Sequence, residues 1–202
     1  MARTGRPRGF DRDAAIDGAM RLFWQYGYEG TSLDRLRRGM GGISSASFYA
    51  AFGSKAALYR EALDRYLGSH GRVVAPLHDE SLQPRERIFE TLQRSARMQA
   101  DPTHPTGCLV TLSALLDGDE DDAVRAITAR ERASNRNRIR QCVEQAVTAG
   151  ELSGRTNVEG LASLLDGILL GLSIQARDGV SSQILTAAIE TANALWDANR
   201  AG

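Results

Sequence analysis

The chain of 202 residues reads as an all-α protein in two helical parts, and three observations say so. Apolar residues recur at helical spacing, from Ala15, Ile16, Ala19, Met20 and Phe23 near the start to Ile184, Leu185, Ala188 and Ile189 near the end. Ser, Asp, Thr or Pro stands where these segments begin, and Gly where several of them stop. No run alternates apolar and polar residues well enough to read as a strand.

Met1 to Gly9 carries Arg3, Arg6 and Arg8 among Gly and Pro with no apolar periodicity, so it reads as a basic arm. Arginines on such an arm can enter a minor groove, where the potential is most negative; a tail whose charges do nothing specific is the alternative. Asp11 caps the first helix, Trp24 and Tyr28 read as packing residues, and Gly27 ends it. Thr31 or Ser32 caps a second helix, with Asp34 three residues after Thr31 in a capping-box arrangement. Met40-Gly41-Gly42 is a turn. In the next segment Ser44 is an N-cap, and Phe48 and Phe52, four apart, share the inward face. Ser45, Ala46, Ser47 and Tyr49 are left on the other side. A helix face so small and uncharged suits the close approach of something flat. Gly53 stops this helix, Ser54 caps the next, and Lys55 puts a cation near its start. Helix, Gly-rich turn and capped helix make a helix-turn-helix.

Gly5-Arg6-Pro7-Arg8, Phe23-Trp24, Gly27-Tyr28, Thr31-Ser32, Gly42-Ile43-Ser44, Ser47-Phe48-Tyr49 with Phe52, and Lys55 with Leu58-Tyr59 carry a resemblance. Over about Arg6 to Tyr66 the chain resembles the DNA-binding domain of the TetR/AcrR family of bacterial repressors. It departs from that pattern at Arg37-Arg38 and at the double glycine Gly41-Gly42. The resemblance implies an arm and helix-turn-helix over 1–53, a linking helix over 54–80, and an all-helical ligand-binding and dimerisation domain over 81–202. It implies a homodimer on a palindromic operator in double-stranded DNA, released by an unidentified small-molecule inducer, with no cofactor. The DNA-binding set is then Arg6, Arg8, Thr31, Ser32, Ser44, Ser45, Ala46, Ser47, Tyr49 and Lys55. Within it Ser45, Ala46 and Ser47 face base edges, while Tyr49, Lys55 and the Thr31-Ser32 hydroxyls meet phosphate.

The fourth helix is expected from Ser54 to about His70, on Leu58, Ala62 and Tyr66. Asp79 to Gln83 reads as a loop, Pro84 as a first helical turn, and Ile88, Leu92 and Ala96 as a stripe. Asp101 to Gly107 breaks the pattern before Cys108, and Leu109 to Leu116 continues as a short apolar helix. Asp119 to Asp122 suits the start of a helix that runs to Ala149, with Gly150 closing it. The last two helices, Asn157 to Ala176 and Ser181 to Asn199, are apolar and carry Gly167, Gly171, Ala188 and Ala192, which allow close approach. They either make a four-helix dimer bundle, with Leu165, Leu169, Leu172, Leu185, Ile189 and Trp196 as its interface, or close the chain's own core. The two-fold symmetry of DNA half-sites favours the dimer.

Charge and composition set limits. The 25 basic and 25 acidic residues cancel, but residues 1–70 hold eleven basic against seven acidic, and the remainder fourteen against eighteen. The basic surplus therefore lies with the helix-turn-helix, as contact with phosphate requires; the dominance of arginine, with Lys55 the one lysine, also fits a coding bias. No apolar run is expected to reach the eighteen or so residues of a membrane span, and the basic N-terminus lacks a signal peptide's apolar core. Two cysteines make no disulfide framework, which fits the cytoplasm. His70, His78 and His104 have no metal-ligand spacing, and no catalytic constellation or phosphate loop is present, so a helical enzyme is the distant alternative. Cys108, after Gly107 at a helix start, is a candidate sensor of oxidants or electrophiles, as the Gly-Cys-Leu run of one subgroup of the family implies; a packing role is the alternative.

Overall fold

A computed structural model describes residues 11–113 and 122–201. The expectations placed on Arg6 and Arg8, on Leu115 and Leu116, and on Asp119 to Asp121 lie outside these residues. The order is α1 (Arg12–Tyr26), α2 (Leu33–Gly39), α3 (Ser45–Phe52), α4 (Lys55–Leu67), a 3-10 helix (His70–His78), α5 (Pro84–Gln99), α6 (Leu109–Leu112), α7 (Asp122–Thr148), α8 (Val158–Arg177) and α9 (Ser182–Asp197). Among the described residues the only β-type pairing is a single bridge between Leu152 and Arg200.

Local chemistry accounts for the boundaries. Asp11, Ser32, Ser44, Ser54, Asn157 and Ser181 each accept a hydrogen bond from the backbone N–H three residues on, caps worth about 1 kcal/mol apiece. Ser32, rather than Thr31, caps α2. α5 opens on Pro84 with a Gln83–Glu86 capping box. α4 stops at Leu67, earlier than its apolar stripe suggests, because the Ser69 hydroxyl turns back to the Arg65 carbonyl at 2.6 Å and Gly68 closes the end. The chain then tightens into the 3-10 helix.

Two cores organise the molecule. The first gathers Phe23, Trp24, Leu36, Phe48 and Phe52 with Leu58, Tyr59, Leu63 and Tyr66 of α4, and also Leu109, Val110 and Val124 from later in the chain. The second joins Leu77, α5, α7, α8 and α9 around Ile88, Leu92, Val143, Leu165 and Trp196. α4 is thus part of the first core, and α6 reaches into that core from the second part of the chain. Ion pairs fasten α4 to α1: Arg65 to Asp13 and Asp17, and Arg12 to Glu61.

Two expectations about the last helices need correction. Leu165, Leu169, Leu172, Leu185, Ile189 and Trp196 are at most 6% exposed within one chain. They fill the second core and have almost no surface to offer a partner. α8 is also a twenty-residue helix, long and apolar enough to cross a membrane by length and composition alone. Here it packs on α5, α7 and α9 and carries a buried carboxylate, Asp166, paired with Arg136 at 3.0 Å. Those are the marks of a core helix.

Candidate DNA-binding surface and ligand cavity

The α2–turn–α3 unit is fixed from below. Phe48 and Phe52 are buried in the first core, and the Arg12 guanidinium lies over the Phe52 ring at 5.0 Å. Gly41 and Gly42 both take left-handed backbone, with φ of 87° and 76°, which lets the chain reverse within the turn. Arg37 spans that turn by donating from Nε to the Ile43 carbonyl at 3.0 Å. Its role is therefore structural, and nothing in the sequence pattern signals it.

The upper face of α3 is open. Ser44, Ser45, Ala46, Ser47 and Ala50 are exposed, and the Tyr49 ring stands half out of the surface. The Ser44 hydroxyl caps the Ser47 N–H at 3.0 Å and meets the Ser47 hydroxyl at 2.9 Å. Both hydroxyls retain hydrogen-bonding capacity toward an outside group. Cations stand on the helices that precede and follow α3. Lys55 Nζ sits over the Tyr28 ring at 4.1 Å, and Arg35 over the Tyr26 ring at 4.0 Å. Arg38 is well exposed and pairs with Asp34 at 2.8 Å. Arg35 and Arg38, on α2, add cations to the DNA-binding set expected from the sequence. A helix-rich chain already placed them one turn apart on α2, which is the signal that could have found them.

Thr31 does not belong to this surface. It is fully buried, and its hydroxyl donates toward the Gly27 carbonyl at 2.6 Å, with the Leu22 carbonyl at 3.2 Å. Its neighbour Ser32 is exposed at the N-terminus of α2 and remains available to phosphate.

The DNA-binding unit is clamped to the second core at the end of α1. Arg177 of α8 donates to the Trp24 carbonyl at 2.9 Å, the Trp24 indole donates to the Gly107 carbonyl at 3.1 Å, and Arg21 donates to the Thr103 carbonyl at 3.1 Å. His104 stacks on Trp24 at 4.6 Å, and His70 packs edge-on to His104 at the same separation. Burial, with the neighbouring His104 and Arg21, lowers the pKa of His70, and Asp101 opposes the shift.

Between α4 and the second core lies a cavity of about 40 Å³, walled by Tyr66, Cys108, Ser95, Gln99, Glu131 and Leu169 among others. The Tyr66 hydroxyl donates to Cys108 Sγ at 3.3 Å, and burial raises its pKa well above the ordinary value. Gly107 is required before Cys108: its φ is 80°, and a Cβ there would come within 2.9 Å of Leu112 and of the Ser173 carbonyl. α6 has only four residues, so it gives Cys108 little of the helix-dipole support expected from the sequence. Arg132, distant in sequence, lies near enough to interact electrostatically with that sulfur. On α5, Thr91 Oγ1, Ser95 Oγ and Gln99 Oε1 are buried and make no hydrogen bond among the described residues. An orphaned buried polar group costs roughly 1–3 kcal/mol, so three on one helix face are a concession by the fold.

A two-helix unit over a packed base, with an uncharged face on α3, cations on the flanking helices and a helical domain behind it, defines a helix-turn-helix DNA-binding regulator. The chain belongs to the TetR family: residues 15–62 match the family described as bacterial regulatory proteins, tetR family, and residues 84–192 match the tetracyclin repressor-like C-terminal domain. It is similar to the HTH-type transcriptional repressor ComR of Escherichia coli, at 34% identity over 95% of this chain and 91% of that one. The HTH-type transcriptional repressor BdcR of the same species is 30% identical over 91% and 87% of the two chains. Among solved structures, a cysteine-substituted form of the TetR family transcriptional regulator CifR, complexed with a 26-base-pair double-strand operator DNA, is 41% identical. It superposes with a TM-score of 0.84 over 95% of this chain and all of that one. The protein is a DNA-binding transcriptional regulator and not an enzyme.

Proposed function

We propose that the chain is a homodimeric repressor that sets α3 in the major groove of a palindromic operator and leaves it when a small molecule fills the cavity beside α4. The observation that carries the reading is the face of Ser45, Ala46, Ser47 and Tyr49, exposed over a base of buried phenylalanines. Small residues let backbone and hydroxyls come close to base edges, while Ser32, Tyr49, Lys55, Arg35 and Arg38 are placed for phosphate. ComR and BdcR bear the name repressor, and the CifR form is complexed with operator DNA, which supports carrying the role to this chain.

The dimer reading moves to the outer faces of α8 and α9. Leu164, Ile174, Ile184 and Leu195 are large hydrophobics left 45–60% exposed. Between them lie Gly167, Gly171, Ala187 and Ala188, and a Cβ at Gly167 would meet nothing within 4 Å in the chain itself. An apolar face with a low centre fits a second copy across a two-fold. The cavity supplies the release. Tyr66 and Leu67 of α4 form one side of it, so a ligand there acts on the helix that carries the base of the DNA-binding unit. To empty the operator the ligand must favour the released conformer by a few kcal/mol, and DNA must weaken the ligand by the same factor.

The test is titration of the full-length protein onto its own upstream DNA against competitor DNA. Tight binding with steep salt dependence is expected, and equal affinity for both DNAs would overturn the reading.

A second reading rests on Cys108, whose sulfur lines the same cavity and accepts from Tyr66 of α4. Alkylation at Sγ, by attack on an electrophilic carbon with loss of its leaving group, would push directly on that helix. Release after mild alkylation of the wild type, with none in Cys108→Ser, is the outcome this reading requires.

A further inference from the structure

We infer that the cavity beside α4 selects a compact hydrogen-bond donor without negative charge, such as an amide or an amidine, and rejects carboxylates of the same shape; this rests on the inducer reading above. Three features of the wall point there. First, Ser95 and Gln99, both at most 2% exposed, line the cavity with oxygens that no described residue satisfies. Thr91, one turn earlier on α5, continues the row. A hydroxyl inside a helix ordinarily discharges itself on the carbonyl four residues back. Neither Thr91 nor Ser95 does so, which leaves both able to bond outward. Gln99 Oε1 can only accept, so its partner has to be a donor.

Second, the opposite walls are also rich in acceptors. Glu131 lines the cavity from α7, and Asp166 from α8. Asp166 uses Oδ2 on Arg136, which leaves Oδ1. Third, the one cation among the described lining residues already commits a donor elsewhere. Arg132 donates from Nη1 to the Val110 carbonyl at 2.6 Å and reaches Ser113 Oγ at 3.5 Å, toward α6. A carboxylate ligand would thus meet the Glu131 carboxylate, the Asp166 carboxylate already paired with Arg136, and an orphaned carbonyl oxygen, while Arg132 has Nη1 committed to Val110. A donor would satisfy Gln99 and have Ser95 and Asn135 beside it. The size is small as well. About 40 Å³ is open to the centre of a water-sized molecule, and one water needs roughly 10–15 Å³. A ligand of a few non-hydrogen atoms fits without rearrangement.

Acetamide, acetamidinium and acetate have one shape and differ in donors and charge, so they make the test. The full-length protein is melted with each at equal millimolar concentration, and operator affinity is measured alongside. Acetamide and acetamidinium should raise the melting midpoint, and acetate should not. Gln99→Leu replaces the orphaned amide by an apolar group of similar size. It should leave the ligand-free midpoint unchanged or raised, and weaken acetamide at least tenfold. Ser95→Ala, a smaller change, should weaken it in the same direction. Stabilisation by acetate equal to that by acetamide would overturn the inference, as would a lower ligand-free midpoint in both variants with the acetamide shift intact. Failure of both donors to shift the midpoint would also overturn it, and would leave the inducer reading standing. A midpoint shift without operator release would uphold the ligand class and sink the inducer reading.

Discussion

Two surfaces of this molecule are built from small residues, and they differ in what surrounds those residues. On α3, Ser45, Ala46 and Ser47 carry hydroxyls or a bare methyl, and Arg35 and Arg38 of α2 and Lys55 of α4 stand on the flanking helices. On α8 and α9, Gly167, Gly171, Ala187 and Ala188 stand within a border of Leu164, Ile174, Ile184 and Leu195. Smallness in both places allows another body to come close. The surroundings fit the body proposed for each: cations near hydroxyls suit a phosphate-flanked groove, and aliphatic side chains around glycines suit the proposed second copy of the same helices.

The difference can be broken most severely from the inside. Leu169→Glu places a carboxylate in the second core, on a cavity wall that already holds the Glu131 and Asp166 carboxylates. It should cost on the order of 4 kcal/mol and appear as loss of the folded state in a thermal melt. Leu195→Glu, on the same bundle but exposed, should keep the helical signal and shift sedimentation from dimer to monomer. Equal melting of the two variants would erase the distinction between core and outer face.

Ala46→Glu tests the other surface. The side chain sits in the first turn of α3, where negative charge is tolerated by the helix, so stability should change by no more than about 0.5 kcal/mol. Operator affinity should fall at least about a hundredfold, because the carboxylate would meet the groove's phosphates. A smaller effect separates Thr31 from Lys55. Thr31→Val should destabilise the fold by about 1 kcal/mol by removing the bond to the Gly27 carbonyl, with operator affinity of the folded protein unchanged. Lys55→Ala should do the reverse, lowering the salt slope by about one and weakening all sequences alike.

The smallest expected effect is a pH dependence at the clamp between the two cores. The folded pKa of His70 lies below its ordinary 6.5, so the folded state binds its proton less readily than the unfolded chain. Stability from this group is fully present above pH 6.5 and declines as pH falls through that value toward the lowered folded pKa. The groups that face it are His104, Arg21 and Asp101. A His70→Asn variant should flatten the fall in melting midpoint over that range.

How much of this could be read in advance follows from how many faces each helix buries. α3 carries two phenylalanines and no other large apolar residue on its buried side, so Ser44, Phe48 and Phe52 give its orientation directly. α8 and α9 are apolar nearly all round. Leu164 and Leu165 are adjacent and alike, yet one faces out and the other fills the core. Periodicity cannot choose between such faces, so the expected interface of Leu165, Leu169, Leu172, Leu185, Ile189 and Trp196 falls on the buried set. Thr31 lies off the open surface for a different reason: its hydroxyl is claimed by the carbonyls of Gly27 and Leu22, which only the bend after α1 brings within reach. The polar row Thr91, Ser95 and Gln99 does have helical spacing, but in sequence such a row reads as a solvated face. Only the burial of α5 between the 3-10 helix, α7, α8 and α9 encloses the row, of which Ser95 and Gln99 wall the cavity.

The most direct measurement is a hydroxyl-radical footprint of the wild type and Ala46→Glu on the upstream operator. The account predicts two protected patches centred one DNA turn apart, roughly 34 Å, in the wild type, and neither patch in the variant at the same protein concentration. A single patch, or two patches that persist with Ala46→Glu, would contradict it.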